Sequence, residues 1–194
     1  LAVDSAQRLP DSTPPGRPLA LATALRLSRG GALVGLTSEP LPPRHGESQI
    51  STLTHILSKD ETADYGTPET SGMLPHSRAL FVSDFMGNID AFETALLKAA
   101  DLGVRGVMLQ ILDPQEETFP FNGRTIFQSM QGGLQHETLQ AGDLKTRYLE
   151  RLAERKDRLT HLARTTGWQF HTHHTNAPAT SALLWLYQAL ARSV

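Results

Sequence analysis

Two apolar runs, Ala79-Leu-Phe-Val-Ser83 and Val104 to Leu112, constrain the fold of this chain more than anything else in it. Neither shows the polar/apolar alternation of a strand with one wet face. Short apolar runs of this kind read as strands buried on both sides, which places them in a parallel sheet with helices above and below. The segments after them agree. Asn88 stands where a helix cap belongs, ahead of Phe92, Leu96, Leu97 and Ala100, and Gly103 stops that helix. Asp143 to Thr166 carries Leu144, Tyr148, Leu152, Leu159 and Leu162 at helical spacing with a charged opposite face, and Gly167 ends it. Trp168 to His173 then alternates as a strand, and Ala179 to Ala191 is an apolar helix.

The first half carries weaker signals. Leu1-Ala-Val-Asp4 reads as the end of a buried strand, Arg17–Arg29 as a helix stopped by Gly30-Gly31, Ala32–Thr37 as a short buried strand and Ser48–Leu57 as a helix. The expectation is therefore an α/β fold in one domain, 1–194. Its mostly parallel central sheet contains Ala32–Thr37, Ala79–Ser83, Val104–Leu112 and Trp168–Thr172, with helices on both faces. A hairpin insertion is expected at about 114–140, its arms Thr118–Phe121 and Arg124–Phe127 turning at Asn122-Gly123, with a second turn at Gly132-Gly133. Phe119 and Phe121 are expected to cap the core rather than form a docking surface, because large exposed aromatics are uncommon outside interfaces.

Composition removes several functions. The 194 residues include no cysteine, which excludes a disulfide framework, a thiolate metal site and a cysteine nucleophile. A formal net charge of −2 gives no reason to expect nucleic acid. No apolar run approaches the roughly 18 residues that cross a bilayer, so no membrane contact is expected and the cytoplasm is the expected location. The chain opens at Leu1, directly in an apolar run, and is read as a fragment of a longer protein.

In open α/β sheets ligands sit at the carboxyl ends of the strands. Three strands end there in an acidic residue: Asp4, Asp84 and Asp113. Carboxylates gathered at such an edge suit a hard divalent cation, although an Asp in that place also caps the following helix or turn. His171 and His173 would project to one face about 7 Å apart, with His174 beside them. A structural zinc site wants four ligands, and no other cluster has the spacing, so partly exposed histidines at a strand end are expected. There is no Gly-x-Ser-x-Gly elbow and no Gly-rich phosphate loop.

Ser83-Asp84-Phe85, Leu109-Gln-Ile-Leu-Asp-Pro-Gln-Glu-Glu-Thr-Phe-Pro-Phe-Asn-Gly-Arg124 and Gly167-Trp-Gln-Phe-His-Thr-His-His-Thr175 together resemble the bacterial domain of unknown function 58 (DUF58) family, whose members contain a von Willebrand factor A-like domain. The resemblance covers nearly the whole chain and is strongest from Arg78 onward. It implies a Rossmann-like sheet with a metal-ion-dependent adhesion site on its upper edge. It also implies a protein-interaction role in assembly or chaperone-like complexes with MoxR-type AAA+ ATPases.

In that family Asp-x-Ser-x-Ser follows the first strand, a Thr lies in a middle loop and an Asp follows the fourth strand. Asp84 matches the last position and Asp4 the first, but Ala6 and Arg8 occupy the serine positions. Ser5 or Ser12 substitutes only if the loop folds back, and Thr62, Thr67 and Thr70 give no identifiable middle ligand. The resemblance thus implies a degenerate site of Asp4, Ser5 and Asp84, at which Mg²⁺ or Mn²⁺ is weak or absent. Asp84 is expected on backbone amides, Ser5, water or a nearby Arg, and Arg8 could stand in for the cation. The reading is a non-enzymatic interaction module. Its alternative is a metal-dependent hydrolase using Asp4, Asp84 and the His171/His173/His174 cluster.

Overall fold

The structure is a computed structural model and describes residues 2–3, 32–34, 41–44, 51–52, 55, 73–123, 125–128, 135–138 and 141–192. In chain order its elements are β1 (Ala2–Val3), β2 (Ala32–Val34), β3 (Leu41–Arg44), β4 (Arg78–Ser83), α1 (Ile89–Asp101) and β5 (Arg105–Leu112). There follow α2 (Pro114–Thr118), β6 (Thr125–Gln128), β7 (Gln135–Thr138), α3 (Ala141–Thr166), β8 (Gln169–His174) and α4 (Ala179–Arg192).

The main sheet has the order β1-β4-β5-β8, and every neighbouring pair is parallel. Val82 lies beside Leu109, and Leu109 beside His171, so the strands end at one common carboxyl edge. Helices cover both faces. On one, Phe81 and Met108 pack with Phe92 and Leu96 of α1 and Leu159 and Leu162 of α3. On the other, Leu80, Val82, Val107, Leu109 and Ile111 meet Ala182, Leu186 and Ala189 of α4. The unalternating strands thus bury both of their faces, each fully buried Leu or Ile contributing about 1.5–3 kcal/mol.

Local chemistry sets the boundaries. The Asn88 side chain accepts from the backbone N–H groups of Asp90 and Ala91, capping α1, and Gly103 takes the left-handed turn that releases the chain into β5. Gly106 is glycine for space: a Cβ there would stand 2.2 Å from the Ala79 carbonyl and 2.7 Å from the Trp168 ring. That ring stacks on Phe81 at 5.3 Å while its indole N–H donates to Val104 O at 3.0 Å.

The structure corrects the sequence reading in two places. Ala32–Val34 is not in the main sheet. It pairs antiparallel with Leu41–Arg44, because six intervening residues suffice for a hairpin but not for a parallel crossover. The hairpin after β5 keeps the expected arm Arg124–Phe127 almost unchanged, as β6, but pairs it with a later strand and not with Thr118–Phe121. It is β6 against β7, while Pro114–Thr118 is helical and Phe119 closes that helix in the left-handed region. Phe119 is buried against Tyr148 and Phe121, with ring centroids 5.0 and 5.2 Å away, so these aromatics do cap the core. The expected helix at Arg17–Arg29 lies outside the described residues. Of Ser48–Leu57, the described Ser51, Thr52 and His55 are helical.

Candidate functional site

The carboxyl edge is built from three loops and one face of α3. After β4 the chain turns sharply at Asp84, which is only 2% exposed, and Phe85, which adopts φ 56°. A left-handed phenylalanine costs about 1–2 kcal/mol and persists only where its surroundings over-determine it. Here they do. Ser83 Oγ accepts from Phe85 N at 2.9 Å, Asp84 Oδ1 accepts from Met86 N at 2.8 Å, and the Phe85 ring sits edge-on to Phe92 at 4.8 Å. From α3, Arg155 Nη1 donates to Phe85 O and, at 2.7 Å, to Gly87 O.

Gln110, fully buried in β5, ties this loop to the rest of the sheet. Its Nε2 donates to Asp84 O at 2.9 Å, and its Oε1 accepts from Thr172 Oγ1 at 3.0 Å. A polar side chain in so apolar a strand needs both partners, since an unmet buried group costs about 1–3 kcal/mol.

After β5, Asp113 does what an Asp before Pro can do: it caps α2 in a full capping box. Its Oδ1 accepts from Gln115 N at 2.8 Å, and Glu116 Oε2 accepts from Asp113 N at 2.8 Å. Asp113 Oδ2 also takes the Thr175 hydroxyl at 2.9 Å, joining the β5 and β8 ends. Burial pushes the Glu116 carboxyl up to about 7. The Asp113 N–H opposes this, and the charges of Asp84, Asp113 and Glu117 add to it. Glu117 goes the other way. Its modest burial is outweighed by Lys156 and His174, which hold it below the usual carboxylate range. Lys156 pairs with Oε1, and His174 Nε2 stands 2.8 Å from Oε2.

The three histidines do not form one ligand set. β8 alternates, so His174 faces Glu117 and α3 while His171 stacks on Trp185 of α4, centroids 4.7 Å apart. His173 shares the face of His171 and is 3% exposed, its Nε2 without a hydrogen-bond partner. Burial lowers both His171 and His173, helped by the neighbouring imidazoles, so both favour the neutral form.

Asp4 and Ser5 lie outside the described residues. The strand before them, β1, runs parallel to β4 with Val3 beside Val82, on the flank of β4 opposite β5. Among the described residues no three His, Asp or Glu side chains gather as a group that could hold a metal ion. Also among the described residues, no helix is long and apolar enough to cross a membrane.

Sequence reasoning passed over Glu116, Glu117, Arg155, Lys156 and Gln110. Two had a visible signal. Asp113-Pro-Gln-Glu116 is a helix start, with Pro at the first position and Glu at the third, and Gln110 is the one uncharged polar residue in its apolar run. Arg155 and Lys156 had none, being two cations among many on α3. Comparison of the chain with models of protein families, with curated proteins and with solved structures found no match.

Proposed function

We propose that this chain is a von Willebrand factor A-like protein-interaction module of the DUF58 type, working as an adaptor to a MoxR-type AAA+ ATPase in an assembly or chaperone-like complex. On this reading the Asp84 edge is the docking site. One observation carries it: the Asp84 loop is held in a strained, fixed shape at the carboxyl edge of a strand flanked by parallel neighbours on both sides. The all-parallel strand pairing and the helices on both faces support a Rossmann-like sheet. The aspartate at this position and the sequence blocks around it support the family.

The module works without a full cation site. Ala6 and Arg8 stand where two hydroxyl ligands belong, and Asp84 spends one oxygen on a backbone amide. Recognition then rests on the shape of the 84–88 loop and on the charged groups around it. The test is binding of the purified MoxR-type ATPase from the same organism, with Mg²⁺ and ATP present, to the wild-type chain and to Asp84→Ala. The reading expects association that weakens at least tenfold in the variant at unchanged fold. Equal binding by both proteins, or none by either, would overturn it. Micromolar Mn²⁺ binding coupled to phosphoester turnover would favour the hydrolase instead.

A further inference from the structure

A second surface of different chemistry lies at the β8 end of the sheet. Among the described residues β8 pairs with β5 alone, and because hydrogen bonding alternates along a strand, every second residue of β8 turns its backbone N–H and C=O groups to the other edge. Natural edge strands are blunted by proline, lysine, bulges or shortness. The β8 sequence, Gln-Phe-His-Thr-His-His, has no such device, and its backbone shows no irregularity against β5.

The start of this edge floors a groove of about 350 Å³, at the low end of the range for ligand sites. Thr160, Ala163 and Arg164 of α3 form one wall, and Trp185 of α4 forms the other. Arg164 is exposed and, among the described residues, is the one charged side chain lining the groove. α4 contains no Asp or Glu at all, and neither does β8. The floor offers Phe170 and the wall Trp185, both partly buried apolar surfaces.

We propose that this groove and the β8 edge accept an extended, acidic segment of a partner protein by strand addition. Backbone pairing to the outward-facing groups of β8 supplies the affinity, Phe170 and Trp185 receive its apolar side chains, and Arg164 selects an acidic one. The occupant is acidic because, among the described residues, the one charge lining the groove is positive. This site is separate from the Asp84 edge and does not depend on what binds there.

The probes are two blocked heptapeptides, one of alternating valine and glutamate and one of alternating valine and lysine. They are titrated into the full chain while the backbone amides of Gln169–His174 are followed by NMR. The valine–glutamate peptide is expected to shift these amides and to bind about tenfold tighter than the lysine peptide, a preference that Arg164→Glu reverses. Trp185→Ala, which opens one wall, is expected to weaken the acidic peptide while its charge preference stays. The proposal is overturned if neither peptide shifts the β8 amides, or if both bind equally. It is also overturned if the outward-facing amides of β8, those that do not donate to β5, are already protected in the free chain at low concentration, which assigns the edge to the chain itself. Protection that grows with protein concentration together with dimerisation assigns it to a second copy and overturns it too.

Discussion

Replacing Glu116 with Gln should make this protein more stable at pH 8 and leave it little changed near pH 5. In the folded state the Glu116 carboxyl titrates at about 7, against an ordinary value of 4.5, because it is buried beside Asp84, Asp113 and Glu117. Between those two pH values the native state holds a proton that the unfolded chain has released. Stability therefore falls as pH rises through this window, and the favourable contribution present below 4.5 is gone above 7. A shift of that size at about 1.36 kcal/mol per pH unit sets a ceiling near 3 kcal/mol. Partial exposure of the side chain brings the expected effect down to about 1–2 kcal/mol. Gln keeps a carbonyl oxygen to accept from Asp113 N, so the capping box survives the change. The assay is urea unfolding of both proteins at half-unit steps from pH 4.5 to 8.5, read as the difference between them. His171 and His173, which burial holds below the usual imidazole range, are the same in both proteins and cancel in that difference. A difference that stays flat between pH 5 and 8 would refute the reasoning, as would one that favours wild type at high pH.

Further outcomes follow from other contacts. Arg155→Met removes the donor to Phe85 O and Gly87 O and should cost about 1–3 kcal/mol in chemical unfolding, with partial recovery in Arg155→Lys. Gly106→Ala drives a methyl group into the Ala79 carbonyl and the Trp168 ring and should cost at least about 3 kcal/mol or prevent folding, seen as lost near-ultraviolet dichroism. Calorimetric titration with Mg²⁺ and Mn²⁺ should show no micromolar site; micromolar binding that vanishes in Asp84→Ala would show that the loop finds substitute ligands.

The parallel core was legible because its signal is thermodynamic: Ala79–Ser83 and Val104–Leu112 must bury both faces, and only one architecture does that. The ends of α1 and α3 were equally plain from Asn88, Gly103 and Gly167, since caps are local chemistry. Ala32–Thr37 was misplaced in the main sheet because a short apolar run carries no information about its partner, and pairing is a long-range choice. The first hairpin arm was misread because the turn signal at Asn122-Gly123 outweighed the helix start at Asp113-Pro114, which the capping box decides in favour of a helix. At the site, Asp84 could be singled out from its place after an apolar strand. The bonds around it could not: Arg155 reaches the carbonyls of Phe85 and Gly87 from a helix about 70 residues later, and Glu116 draws its character from burial, which no spacing reveals.

The most direct test of the Asp84 edge as a partner-docking site is site-specific photo-crosslinking in the cells the protein comes from. A photoreactive phenylalanine replaces Met86, half-buried on the Asp84 loop, or Leu102, exposed at the far end of α1. The account predicts a crosslink from position 86 to an AAA+ ATPase subunit, identified by mass spectrometry, and none from position 102. An ATPase crosslinked equally from both positions, or from position 102 alone, would contradict it, and so would position 86 crosslinking to nothing.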